Sequence, residues 1–558
     1  LDHSMETLTV FMSDLSGVKI DLWAFLDPPF AASVNGYAYS IASFNFGLSL
    51  LPLALRVYTL VLPKMIRHLL PRWRDESLPG YRAIIADWKG IDLANAPDEE
   101  LLRGVRALAT EDANYWFAAA VALGLARITD AVLNRFVRLV SNGSHLTSGS
   151  FLRGLPSKAV DAQVQLEAVA RRIDGSDALR QLVLDTPASR LLTALAEHPE
   201  GQVVMDDLQQ YLDTYGHQIY NLDFAAPTLA DAPLPVLLSL KTAVANPERD
   251  ARARQARLAQ ERELLVARTE RSLNPIQRPI FKRLLGWAQR YSPYREEALF
   301  YVGAAWPALR RLAQELGRRL TQAGSLDVPD DVFYLESAQL AAASIARAEG
   351  VSRPDLAKLA RERRTLREAR KRLDPPVSVP PDGRMKFGPI DMGMFEPKPR
   401  SVSAGPILEG YAVSPGQATA PASVISSPED FDKMAPESIL VCTATTPAWT
   451  PLFAQAKGLV TDIGGALAHG SIVAREYGIP AVMGTGVATQ RIENGELVRV
   501  DGDRGTVTLV GQVDAQEEER IRARRVAKKQ AAAKKRKAIL TLVAGVVVVL
   551  ALWWKKRR

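Results

Sequence analysis

Cysteine is nearly absent from this 558-residue chain; Cys442 stands alone. That excludes a disulfide framework and any cysteine-rich zinc or iron–sulfur centre. Histidine is sparse as well, six in all, so each one is weighed for a titrating or nucleophilic role. No P-loop, glycine-rich nucleotide loop or internal repeat is found, and no cleavable signal peptide is recognisable at the Leu1 end. A net basic charge is also missing over most of the length. The net charge is +8, yet Glu517–Arg558 alone holds fourteen Lys and Arg against three Glu, so the remainder is slightly acidic. A nucleic-acid footprint spread over a globular face is thereby disfavoured, and no nucleic-acid partner is expected.

With 47% hydrophobic and 24% charged residues, the composition is that of a folded protein. Its length corresponds to three or four domains of roughly 150 residues each. Residues 1–375 read as a large all-α region. Apolar spacing near 3.6 predicts helices over Ala94–Ala109, Asn114–Ser141, Ser157–Ile173, Asp177–Leu195, Val204–Thr214 and Lys282–Gly324. Arg249–Ser272 is charged on all sides and is expected to be a solvated helical arm. Gly47–Pro63 is apolar but contains Arg56, which favours a buried or groove-lining helix over a membrane span.

Residues 376–401 are proline-rich and predict a semi-rigid linker. Beyond them the apolar period changes to 2. Short runs at Ser438–Cys442, Gly458–Thr461, Ala481–Gly484 and Leu497–Leu509 alternate with glycine turns, and one helix is expected at Ser471–Tyr477. Residues 402–512 therefore form a compact α/β domain in which Cys442 is a small core residue.

Residues 513–537 are helix formers, with acids first and bases last. They predict a basic spacer attracted to anionic lipid. The stretch Ala538–Trp554 has 17 residues without a charge between two clusters of Lys and Arg. That pattern predicts a single C-terminal transmembrane helix with Trp553 and Trp554 at an interface. The natural topology keeps the body cytoplasmic.

The chemistry is concentrated in Thr461–Gly484 (TDIGGALAHGSIVAREYGIPAVMG). A strand ends near Asp462, and Gly464-Gly465 lets the backbone turn sharply and bring amides near an anion. His469 follows at the start of a helix, where amides and dipole favour a phosphate. Arg475 is placed to reach the same anion as a forked donor. A neutral imidazole in that position is a competent nucleophile toward phosphorus. A capped core histidine in a glycine turn is the plainer alternative for a lone His.

This segment resembles the phosphohistidine swivelling domain of the phosphoenolpyruvate-utilising enzymes, which include phosphoenolpyruvate synthase, pyruvate phosphate dikinase and rifampicin phosphotransferase. The matching residues are Thr461, Gly464, Gly465, His469, Arg475, Pro480 and Ala481. Glu409–Gly416 looks like the first strand and turn of that domain, and Thr446–Phe453 (TPAWTPLF) is most similar to the rifampicin phosphotransferase wording. Upstream, Tyr215-Gly216-His217, Tyr294–Glu297, Leu309-Arg310, Glu315–Gly317 and Val328–Leu335 resemble the helical acceptor domain of that enzyme.

The resemblance implies that His469 is phosphorylated, supported by Thr461, Gly464, Gly465 and Arg475. It implies a phosphotransferase that moves the β-phosphoryl group of ATP to a hydroxyl of an acceptor held in the helical domain. Candidate acceptor residues are His217, as a base, and Arg295 with Glu296. The plainer reading makes His217 a structural histidine and Arg295–Glu296 a helix-orienting ion pair. Tyr215 and Tyr220 suit packing, His68 an interface, and His145 and His198 have no assigned role. No metal site is expected on the chain itself; ATP and Mg2+ belong to an ATP-grasp domain that these residues do not contain. The predicted partners are that domain or subunit, a small hydroxyl compound for which the membrane segment suggests lipophilic character, and the membrane. Where the family carries arginine and acidic residues after Tyr-Gly-His, this chain has Gln218–Phe224 (QIYNLDF), so a different acceptor pocket is expected. The alternative is a membrane-tethered, non-catalytic phosphohistidine relay or sensor module.

Overall fold

The computed structural model describes residues 70–140, 146–221, 223–371, 373, 405–465 and 468–512, with short strand segments within 31–44 and 386–391. The spacer 513–537, the expected anchor 538–554, the Gly47–Pro63 segment, His68, His145 and most of the 376–401 linker lie outside these residues.

The first part is helical: α1 (Leu78–Lys89), α2 (Asp98–Val140), α3 (Lys158–Asp174), α4 (Asp177–Asp185), α5 (Leu191–Glu197), α6 (Gly201–Tyr215), α7 (Leu234–Ala245), α8 (Ala251–Ser272), α9 (Gln277–Phe300), α10 (Trp306–Gln322), α11 (Ser337–Ala348) and α12 (Pro354–Arg370). Local chemistry sets several ends. Ser176 and Asp250 cap α4 and α8 by accepting from Leu179 N and Ala253 N. Glu336 and Gln339 form a capping box on α11.

Three expectations change. The helices read over Ala94–Ala109 and Asn114–Ser141 are one continuous α2. Asp177–Leu195 is interrupted at Pro187, which supplies no amide to a ladder. Lys282–Gly324 breaks between Phe300 and Trp306, where Gly303 takes φ +77°. Among the described residues, only α2 is long and apolar enough to cross a membrane; it packs along α9 and α10.

The second part is an eight-stranded mixed sheet. Its strands are β1 (Ile407–Glu409), β2 (Tyr411–Ser414), β3 (Gln417–Val424), β4 (Ser438–Cys442), β5 (Ala456–Thr461), β6 (Ala481–Met483), β7 (Leu497–Asp501) and β8 (Thr506–Leu509). The order is β1-β8-β7-β3-β4-β5-β6-β2. The run β3-β4-β5-β6 is parallel and the remaining pairings are antiparallel. Helix α13 (His469–Tyr477) crosses from β5 to β6, and the short α14 (Ala488–Arg491) follows β6.

Alternation along these strands explains how the two parts meet. Ile439, Val441, Val460 and Val482 point to a core closed by β7, β8 and α14. Their neighbours Leu440, Cys442, Leu459, Ala481 and Met483 point the other way, into one continuous core with α3, α4, α5, α6 and α7. The aromatic seam of that core runs from Tyr220 to Phe431 (5.5 Å between centroids) and on to Trp449 (4.8 Å). A separate cluster holds α1, α2, α10, α11 and α12 together.

Candidate functional site

Strand β5 delivers the chain to the carboxyl edge of the parallel strands, the place where such sheets bind ligands. Thr461 is fully buried, and its hydroxyl donates to the Ile463 carbonyl at 2.8 Å, so it shapes the turn. Asp462 is spent on the next crossover. Its carboxylate accepts from Thr485 Oγ1 (3.0 Å), from Thr489 Oγ1 and from the Ala488 amide at the start of α14. Gly464 turns with φ +129°. The Gly465 carbonyl accepts from Ala468 N at 2.9 Å and from Ser471 Oγ at 2.6 Å, tying the turn to the first turn of α13.

His469 is the first residue of α13, after the extended Ala468. The helix stops at Gly478, which adopts φ +68°, and Ile479-Pro480 leads into β6. The imidazole Nε2 lies 3.1 Å from Thr450 Oγ1. Burial, aided by the Arg295 guanidinium, pushes its pKa down to about 3. At neutral pH the ring is therefore uncharged and carries a lone pair, which is what nucleophilic attack requires.

Arg475 lies on the same helix and is buried. Its Nε donates to the Val413 carbonyl at 2.9 Å. Its guanidinium also reaches the helical part, where it lies against Gly149; a β-carbon there would sit 3.0 Å from Nε. Burial works against the charge on Arg475, and Asp130 is the first group to offset that cost. Burial raises the Asp130 carboxyl, which Arg475, Ser148 and Arg295 pull back down.

Arg295 and Glu296 form an ion pair of 2.6 Å that is almost fully enclosed. Desolvation opposes both charges, and each partner supports the other. Through Arg295 this pair of α9 acts on His469, and through Glu296 on Arg475 and Glu476. The structure thus brings the sequence candidates of α9 and α13 together across the boundary between the two parts.

His217 is placed differently. Its Nε2 is 2.6 Å from the Phe300 carbonyl, its ring lies edge-on to Phe300 and parallel to Tyr301, and burial pushes its pKa down. Its loop is nevertheless tied to the sheet domain, because Thr446 Oγ1 donates to the Ile219 (2.9 Å) and Tyr220 (3.1 Å) carbonyls. Tyr215 and Tyr220 are buried packing residues, as expected, and Tyr220 also donates to the Ala232 carbonyl at 2.5 Å.

Helix α8 is not a solvated arm. Arg254 stacks 4.8 Å over the Tyr477 ring and donates to the Glu476 carbonyl (3.3 Å). Arg249 donates to the Ala454 carbonyl (2.8 Å), and Tyr477 donates to Gln163 on α3 (3.2 Å). Sequence reasoning missed Asp130, Gly149, Gln163 and Arg254. Each acts through a partner far away in the chain, so no local spacing marks it.

Comparison with known proteins agrees with this division. A family profile described as the PEP-utilising enzyme mobile domain matches residues 434–505, and one described as the rifampicin phosphotransferase fourth domain matches residues 119–296. A rifampicin phosphotransferase of Streptomyces sviceus is 30% identical over 326 residues, covering 57% of this chain and 36% of that protein. The uncharacterized phosphotransferase YvkC of Bacillus subtilis is 27% identical over 365 residues, covering 65% of this chain and 43% of its own. The chondramide synthase cmdD of Chondromyces crocatus is 30% identical over 373 residues, 65% of this chain but 10% of its own length. The chain thus spans less than half the length of these relatives.

Proposed function

Starting from a chain that carries a PEP-utilising enzyme mobile domain and a rifampicin phosphotransferase fourth domain, we propose that it is the acceptor-plus-carrier part of a phosphotransferase. His469 takes a phosphoryl group at an ATP-grasp domain, on the same polypeptide or a separate one. It then passes the group to a hydroxyl of an acceptor held against the helical part. The observation that carries this reading is the imidazole: uncharged, at a helix start, and facing a buried arginine across a domain boundary.

In the transfer step the hydroxyl oxygen attacks phosphorus, the N–P bond breaks, and the ring recovers its lone pair. The hydroxyl proton leaves to a base. Arg295 meets the charge on the phosphoryl oxygens as it redistributes. The partial burial of His469 limits the access of water to the N–P bond. ATP with Mg2+ supplies the phosphoryl group at the grasp domain. Among the described residues, no cluster of three or more His, Cys, Asp or Glu could hold a metal ion.

The uncharged stretch 538–554 between basic clusters supports a single C-terminal membrane anchor with the body on the cytoplasmic side, and with it a lipophilic acceptor. The test is reconstitution of the full chain with its ATP-grasp domain and [β-32P]ATP. Label should appear on wild type and vanish in His469→Ala; equal labelling of the two would refute the assignment.

A further inference from the structure

Thr450 touches the ring nitrogen of His469, but a second hydroxyl in the same loop is unaccounted for. Thr445 Oγ1 is buried and has no hydrogen-bond partner among the described residues. It lies against the first turn of α13: a β-carbon added at Gly470, the residue after His469, would sit 2.4 Å from it. A hydroxyl removed from water and left unbonded is destabilising. Buried polar groups of this kind are ordinarily paired. A glycine at position 470 keeps the place open.

We infer that the Thr445 and Thr450 hydroxyls are the mobile domain's own ligands for a phosphoryl group on His469. The inference rests on the phosphohistidine reading above. Thr445 and Thr450 sit in the segment between β4 and β5, and between them Thr446 is pinned to the Ile219 and Tyr220 carbonyls. Thr450 itself is 5% exposed.

Upon loading, the Nε2 lone pair forms the N–P bond as the donor's bond to phosphorus breaks. The Thr450 hydroxyl hydrogen then turns from nitrogen to a phosphoryl oxygen, and Thr445 donates to a second. These donors are neutral. The guanidinium that acts on the His469 ring, that of Arg295, belongs to the helical part, while Arg475 of the mobile domain is engaged with the Val413 carbonyl. A carrier built this way leaves charge stabilisation to the site where transfer occurs, so binding energy is applied to the reaction and not to the resting intermediate.

The test uses the full chain and potassium phosphoramidate, which needs no nucleotide domain. Its P–N bond breaks, ammonia departs, and the N–P bond to His469 forms. The half-life of phospho-His469 is then followed by phosphopeptide mass spectrometry in wild type and in Thr445→Val, Thr450→Val, Thr445→Ser and Thr450→Ser. Valine keeps the methyl and removes the hydroxyl; serine does the reverse. Each valine variant should lose the group about three- to tenfold faster, the equivalent of one neutral hydrogen bond, and each serine variant should behave as wild type. Valine variants that match wild type, or serine variants that decay as fast as valine, would overturn the inference. No label on wild-type His469 would instead remove the phosphohistidine reading beneath it.

Discussion

Glu476 gives the sharpest test of how the two parts are held together. Its side chain is 2% exposed, and Oε2 has no hydrogen-bond partner among the described residues. Burial, with Glu296 facing it across the boundary, pushes its pKa from the ordinary 4.5 up to about 8; Arg475 and Arg262 pull the other way. The folded chain therefore holds a proton that the unfolded chain releases. A raised acid pKa stabilises below the unfolded value, and that stability is lost as pH climbs from about 4.5 to about 8. One pKa unit is worth about 1.4 kcal/mol. Most of that slope operates between pH 5 and pH 7, so wild type should lose about 2–3 kcal/mol there from this group alone. Glu476→Gln keeps the shape, stays neutral and should flatten the profile. The assay is thermal unfolding of both proteins at pH 5, 6, 7 and 8. The variant should gain on wild type at pH 7 and 8 and match it near pH 5. Parallel profiles would show that Glu476 is ionised in the folded chain and would refute the argument.

Phe431→Ala should cost about 3–5 kcal/mol, because the ring is 1% exposed between Tyr220 and Trp449; chemical denaturation would read it. Gly149→Ala should loosen the sheet domain from the helices, since the new methyl meets the Arg475 guanidinium; limited proteolysis between residues 371 and 405 should speed up. Burial pushes the Cys442 thiol well above its ordinary range, so it should resist a thiol reagent in native buffer and react once unfolded.

What the sequence made legible was local. The order strand, Gly-Gly turn, His, helix, Gly, Pro is fixed by neighbouring residues, and the crossover from Thr461 to Ala481 follows it. The helix simply begins at His469, two residues before the apolar spacing becomes visible. The two inserted breaks were signalled by Pro187 and Gly303, but amphipathic spacing on either side ran through them. Charge pattern misled at α8. Arginines that look solvated are needed at the side facing the sheet domain, where Arg254 of α8 and Arg249 just before it reach carbonyls of that domain. The approach of Arg295 to His469 joins residues 174 apart in number, and nothing in either neighbourhood announces it.

The continuous core has a consequence for any journey the sheet domain makes. A carrier that leaves its dock must part Phe431 from Tyr220 and the Pro447–Ala454 segment from α7, baring apolar faces to water at roughly 1.5–3 kcal/mol for each large side chain. Departure is then close to partial unfolding unless another apolar face is waiting. If the proposed transfer includes such a departure, a loading surface would have to offer a comparable apolar face. The difference in grip between the two surfaces, rather than the strength of either, would then set how often the sheet domain moves.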